Sequence, residues 1–550
     1  MDGLVGLIAL LLLGCTASPI DPVACAPAYT WDDADLALRS CRACHGPTAE
    51  PLDTPDALLA VADGVPDVLD DPSHARPLSP GDAAALESWL ACPIVPADPQ
   101  IPSCDGTLWP GDAGPSDAPC ASGATRVEGD LELGVLTRDV DCLCEVGGDV
   151  VLGGDADLPA LTEIGGAVVA AEGATRLDLP SLVHAGELRL EESDSLRIVR
   201  LPALTSLDGP VRLGARGLVE VDLPRLTEVA ELDATGALNL TRLDTPRLHT
   251  VHGDLRLNGL PYLSVWTGVP ALVHVGGDLE LAELPSWAHG APFNVSHVGG
   301  DLAVHGTDLP AIDGFDQLVE VPGELSLTIN RLATRIDGFH ALERVGRALR
   351  IAANDDLEQV SAFGALTEVG LDGDVEDESH QLRIAFNFAL TEVDGFGALT
   401  HAGAISIVGN EALAGPSLSA LTTVEHELAL RASGATTIDG LGALTAAGSI
   451  EVTGHTRLRS LGGFNRVPSV GTVLVADNPL LEQIGGLSGL TSVEGDLALE
   501  RMRRLTAITG LEAITRVGGD LVLRDLAALP APLVDAFVDR VTVDGAVIRD

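Results

Sequence analysis

The sequence predicts a mainly β chain: a long right-handed parallel β-solenoid over residues 126–550, preceded by a small all-α domain over residues 25–95. Three observations carry this. A Gly-Gly-Asp step followed by a short apolar strand recurs about every 23 residues from Gly147 onward. Asparagines recur at the same step in the second half of the chain. All nine cysteines lie in the first 144 residues, so the chain changes character where the repeats begin.

The elements follow in order. Leu4 to Leu13 is an apolar run too short to span a bilayer, with the size of a signal-peptide core. It ends in Leu12-Leu13-Gly14-Cys15, which resembles the bacterial lipobox. The n-region, Met1-Asp2-Gly3, departs from that pattern in having no positive charge. The resemblance implies a signal peptide over 1–15, a lipid on Cys15, and a tether over 16–24. The expected location is the bacterial cell envelope, lipid-anchored at the outer membrane and facing the periplasm or the surface, with the lipid as the only membrane contact.

If Cys15 carries lipid and Cys41 and Cys44 serve another purpose, six cysteines remain. Cys25 with Cys92 would close the first domain. Cys104 and Cys120 would pair with Cys142 and Cys144 in either order, because Cys142 and Cys144 stand too close to bridge each other comfortably. An even set of disulfides fits an oxidising compartment.

Cys41-Arg42-Ala43-Cys44-His45 has the C-x-x-C-H spacing of c-type heme attachment: two thiols reach the vinyl groups and the following imidazole reaches the iron. Trp31 to Leu38 and the Ser79-Pro80-Gly81-Asp82 start of a helix with Leu86, Trp89 and Leu90 on one face flank it. Together they resemble a small cytochrome c domain. The resemblance implies heme c, Cys41 and Cys44 as anchors, His45 as proximal ligand, and a redox partner. The chain's methionines are Met1 and Met502, neither at the usual distal place, so His74 is the candidate sixth ligand. An incidental His beside a structural Cys pair is the other reading of the motif.

Residues 96–125, rich in Pro, Asp and Gly with scattered Cys, read as a linker and N-terminal cap. Beyond them lie Gly276-Gly277-Asp278-Leu279-Glu280-Leu281 and Gly299-Gly300-Asp301-Leu302-Ala303-Val304, whose outer apolar residues point inward and whose middle residue meets solvent. Later turns add Ile312-Asp313-Gly314-Phe315 and Ile336-Asp337-Gly338-Phe339; earlier ones use Leu179-Pro180-Ser181-Leu182 and its like. Asn330, Asn354, Asn387, Asn410 and Asn478, with Ser433 and His455 between, fall three residues past the last inward strand position, where stacked amides would satisfy the backbone of a solenoid corner. Met502 and Leu526 continue that register. Leu371 to Ser379 is an acidic insertion expected to bulge from the rod. These features resemble the bacterial relatives of receptor L domains, leucine-rich solenoids whose usual roles are binding and wall structure.

Composition narrows function. With 81 acidic against 32 basic residues and a net charge of −49, nucleic acid and anionic lipid are excluded as partners. The basic residues are all arginine, so there is no Walker A lysine and no Schiff base. Neither a zinc helix nor a nucleophile elbow is present. Asp in the Gly-Gly-Asp step reads as a turn former and solubilising charge, and the solenoid histidines 184, 249, 252, 274, 289 and 297 show no metal spacing. Two functions result as expectations. The first is a lipid-anchored electron-transfer protein whose acidic solenoid spaces the heme domain or docks an envelope partner; it is not an enzyme unless an open distal site gives peroxidase-like activity. The second is a heme-free surface recognition or adhesion protein with a disulfide-stapled N-terminal cap.

Overall fold

The computed structural model describes residues 104–550, apart from 105, 115, 135–139, 156–157, 288–292, 372–380 and 416. The chain divides into two units, Met1–Ile101 and Pro102–Asp550; the first lies outside the described residues.

The second unit is a parallel β-solenoid. A representative turn has three strand stations, Leu302–Thr307, Ala311–Ile312 and Glu320–Val321, separated by tight corners. Each station pairs in parallel with its equivalent one turn on. Leu302 faces Leu325, then Leu349, then Leu382. Ile312 faces Ile336, Val360 and Val393. Val321 faces Val345, Val369 and Ala402. No single turn can bury its own apolar side, whereas stacked turns share one core. That core runs without a break from Ala113 to Val541. The Phe of the later turns forms its own column: Phe293, Phe315, Phe339, Phe363 and Phe396 stack at 4.5, 4.9, 5.4 and 5.2 Å between ring centres.

The Gly-Gly-Asp corner is set by contact between turns. A Cβ on Gly299 would stand 2.0 Å from the Gly276 carbonyl oxygen, and one on Gly300 would stand 2.1 Å from Asp278 Oδ1. The first glycine admits the backbone of the preceding turn; the second makes room for that turn's carboxylate. The carboxylate is used: Asp254, Asp278 and Asp301 each accept the backbone N–H one turn later, from Asp278, Asp301 and Glu324, at 2.7, 2.8 and 2.8 Å. The Asp is therefore more than a turn former and a surface charge. Thr400, Thr422 and Thr445 hydroxyls likewise donate to the carbonyls of Thr367, Thr400 and Thr422 in the preceding turns.

Stacking starts inside the segment read as linker and cap, where Thr107–Trp109 pairs with Ala124–Val127 and Ala113 bridges to Leu131. At the other end helix α1, Ala531–Arg540, replaces a strand station. Pro530 and a second proline in the first turn start it, and Phe537 and Val541 turn onto the core. The Arg540 guanidinium lies 5.6 Å over the Phe537 ring and donates to the Leu511 carbonyl at 3.1 Å.

One expectation is corrected. The fold is mainly β, but an all-α cytochrome c-like domain is not supported: the one α-helix among the described residues is α1, at the opposite end of the chain, and residues 25–95 lie outside the described residues. Most of the acidic insertion also lies outside them. It does not interrupt the stack, since Leu349 pairs with Leu382 in register across it.

Candidate functional site

Cys15, Cys25, Cys41, Cys44, His45, His74 and Cys92 all fall outside the described residues. The remaining four cysteines staple the N-terminal end of the solenoid. Cys104 is bonded to Cys144 and Cys120 to Cys142, with Cα–Cα distances of 6.0 and 5.8 Å. The order that the sequence left open is thus fixed. Cross-links spanning 40 and 22 residues restrict the unfolded chain at the N-terminal end of the described core.

The expectation of heme c is corrected. The cysteines described are consumed in disulfides, and among the described residues no group of three or more His, Cys, Asp or Glu side chains is arranged to hold a metal. Among the described residues of the solenoid there is no heme site.

The asparagine corner is as the register anticipates. Asn354 Oδ1 accepts the backbone N–H of Asn330 at 2.9 Å, while Asn354 Nδ2 donates to the Leu327 carbonyl at 3.0 Å. Asn387 and Asn410 repeat the pattern. His455 stands in for an amide: its Nε2 donates to the Leu430 carbonyl at 2.9 Å and its Nδ1 accepts from the Ser433 backbone and hydroxyl. That pattern requires a neutral ring protonated on Nε2, and burial holds its pKa below the usual imidazole value. Met502 is fully buried in the same register.

The residue before each of these corner positions is left-handed, and several are not glycine: Ile329, Ala353, Phe386, Ala432, Asp477 and Arg501 have φ between 50° and 58°. This strained column brings exposed apolar side chains to one corner of a strongly acidic chain, Ile329 with Leu332 and, two turns on, Phe386 with Phe388. Among these corners the sequence marks the column only at Gly409 and Gly454, which precede Asn410 and His455; the others lack the glycine that usually marks that conformation.

Two groups of titratable residues lie on the stacked faces. His274 and His297 face each other across adjacent strands with their rings 4.4 Å apart and nearly parallel. Burial, then His297 and His252, pull His274 below the usual imidazole value. On the second station Asp222 lies between Arg200 and Asp244 in register. Burial, then Asp244 and Glu220, push Asp222 up to about 6. Neither group was singled out from the sequence as a site; turn-to-turn neighbours are 22 to 24 residues apart and become visible only once the register is known.

No protein-family model matches the chain, and no curated protein matches it at a significant level.

Proposed function

We propose that the chain is a heme-free recognition or adhesion protein of the bacterial cell envelope, exported and lipid-anchored through Cys15, with a disulfide-stapled cap leading into a non-catalytic solenoid. The observation that carries this reading is the division of labour within each turn. Inward positions stay apolar, mostly Leu, Val or Ile, whereas the outward position of the long strand varies, as in Arg189, Arg212, Asp233, Arg256, Glu280 and Ala303. A rigid array whose outer residues vary, linked to one another by surface ion pairs such as Arg212–Glu187 and Arg256–Glu231, suits an extended binding surface. The Gly-Gly-Asp corners and the amide column also support a receptor L-domain-like type, whose usual role is binding. The partner, on this reading, is a protein or another envelope component, and the acidic surface disfavours nucleic acid.

The test is adhesion. The full chain, displayed on a non-adherent bacterial host, should confer saturable binding to envelope material. Replacing Arg212, Arg256 and Glu280 by glutamine should weaken that binding at least tenfold. No saturable binding to any envelope fraction would sink the proposal.

A further inference from the structure

Asp222 and Asp244 occupy equivalent positions on neighbouring strands, Glu220–Asp222 and Arg242–Asp244. In-register parallel pairing sets the two carboxyls about 4.8 Å apart at their backbones, and like charges in such a pair repel. Asp244 has side-chain partners of its own. Thr245 N–H donates to Thr267 Oγ1 at 2.9 Å, and Thr267 Oγ1–H in turn donates to Asp244 Oδ1 at 2.7 Å. Arg242 approaches the same oxygen at 3.4 Å. Asp222 has no such donor chain. Its other neighbours are Glu220, which repels it, and Arg200, which pairs with Glu220 at 3.6 Å and only partly offsets the repulsion on Asp222. On the far side of Arg200 the column continues to Asp178, already paired with Arg176.

We propose that Asp222 and Asp244 form a proton-sharing pair that tightens the second strand station of the stack in acidic surroundings and loosens it near neutrality. Thr267 Oγ1–H already donates to Asp244 Oδ1, so the shared proton is carried by Asp222 and donated to the Asp244 carboxyl. Losing that proton sets two carboxylates against each other, with Glu220 close by, on strands of three residues each. A group whose folded pKa exceeds its unfolded value stabilises fully below the unfolded value, 3.8 here, and loses that contribution as pH rises through about 6. An exported chain meets that pH range outside the buffered cytoplasm.

The experiment uses the full chain. Carboxyl carbon NMR of an Asp-labelled sample, with the Asp222 signal assigned by its loss in Asp222→Asn, should show Asp222 titrating near 6. In Asp244→Asn that midpoint should fall by more than one pH unit. Asp222→Asn should also raise the melting temperature at pH 7.5 relative to the parent chain, and raise it much less at pH 4.5. An Asp222 midpoint in the ordinary carboxylate range, or equal melting of parent and Asp222→Asn at both pH values, would overturn the proposal. Should Asp244→Asn fail to fold, the parent chain's own titration decides.

Discussion

Asp278 and Gly300 occupy one another's space: the Asp278 carboxylate fills the position a Cβ on Gly300 would take, and from there accepts the Asp301 N–H at 2.8 Å. Carboxylate and glycine are therefore one device shared between two turns, and it recurs at Gly148 with Asp130, Gly277 with Asp254 and Gly519 with Asp496.

Gly300→Ala should displace the carboxylate and cost about 2 kcal/mol, the scale of a lost charged hydrogen bond. Asp278→Ala should cost a similar amount. Because both remove the same contact, the double variant should be little worse than either single one. Denaturant unfolding of the three variants checks this; fully additive losses would separate the two residues.

Asn354→Ala should be more severe. It leaves the Asn330 N–H and the Leu327 carbonyl unpaired in a dry corner. The expected loss is about 2–4 kcal/mol, at about 1–3 kcal/mol for each orphaned group before relaxation. Hydrogen exchange should locate the damage at Asn330 and its neighbours in the two flanking turns.

His455 should make the same stack acid-sensitive. Its folded pKa lies below the unfolded value, so its contribution is complete above 6.5 and is lost as pH falls below that. Protonating Nδ1 removes the acceptor for Ser433. His455→Asn, which restores the amide found in the neighbouring turns, should flatten the fall in melting temperature between pH 6.5 and 5. This slope is opposite in sign to that expected from Asp222, so the two variants separate the contributions.

Ile329 pays for its corner. A β-branched residue at φ 58° is strained by about 1 kcal/mol or more, and its side chain is more than a third exposed. Ile329→Asn should stabilise the chain by about 1 kcal/mol, since Asn visits that conformation readily. A destabilised variant would show that the Ile side chain packs more than its exposure indicates.

Much of this fold can be read before any coordinate is known. Apolar alternation and the Gly-Gly-Asp step locate the long strands, and the amide column from Asn330 to Asn478 falls where register counting puts it, with His455 as a member. What escapes is what depends on contact between turns. The bond from Asp278 to Asp301 links residues 23 apart, and nothing local distinguishes that Asp from a solvated one. The left-handed corners at Ile329 and Phe386 break the rule by which glycine would have revealed them. Helix α1 did leave a trace, in Pro530 and Pro532 ahead of Val534, Phe537 and Val538, but a single helical repeat among so many strands is easily taken for another turn. The heme reading failed for a different reason: a five-residue motif was extended to a whole domain and cofactor, and neither gained support from the residues described.

The central claim is that inward positions carry the fold while outward positions, tied to one another by surface ion pairs and hydrogen bonds, vary and are available for recognition. The most direct measurement pairs unfolding and adhesion in one variant, Arg212→Gln/Arg256→Gln/Glu280→Gln. If the claim holds, its unfolding midpoint stays within about 0.5 kcal/mol per substitution of the parent chain, as for surface changes generally, while adhesion falls at least tenfold. Adhesion that persists unchanged, or that is lost only because the solenoid unfolds, would contradict it.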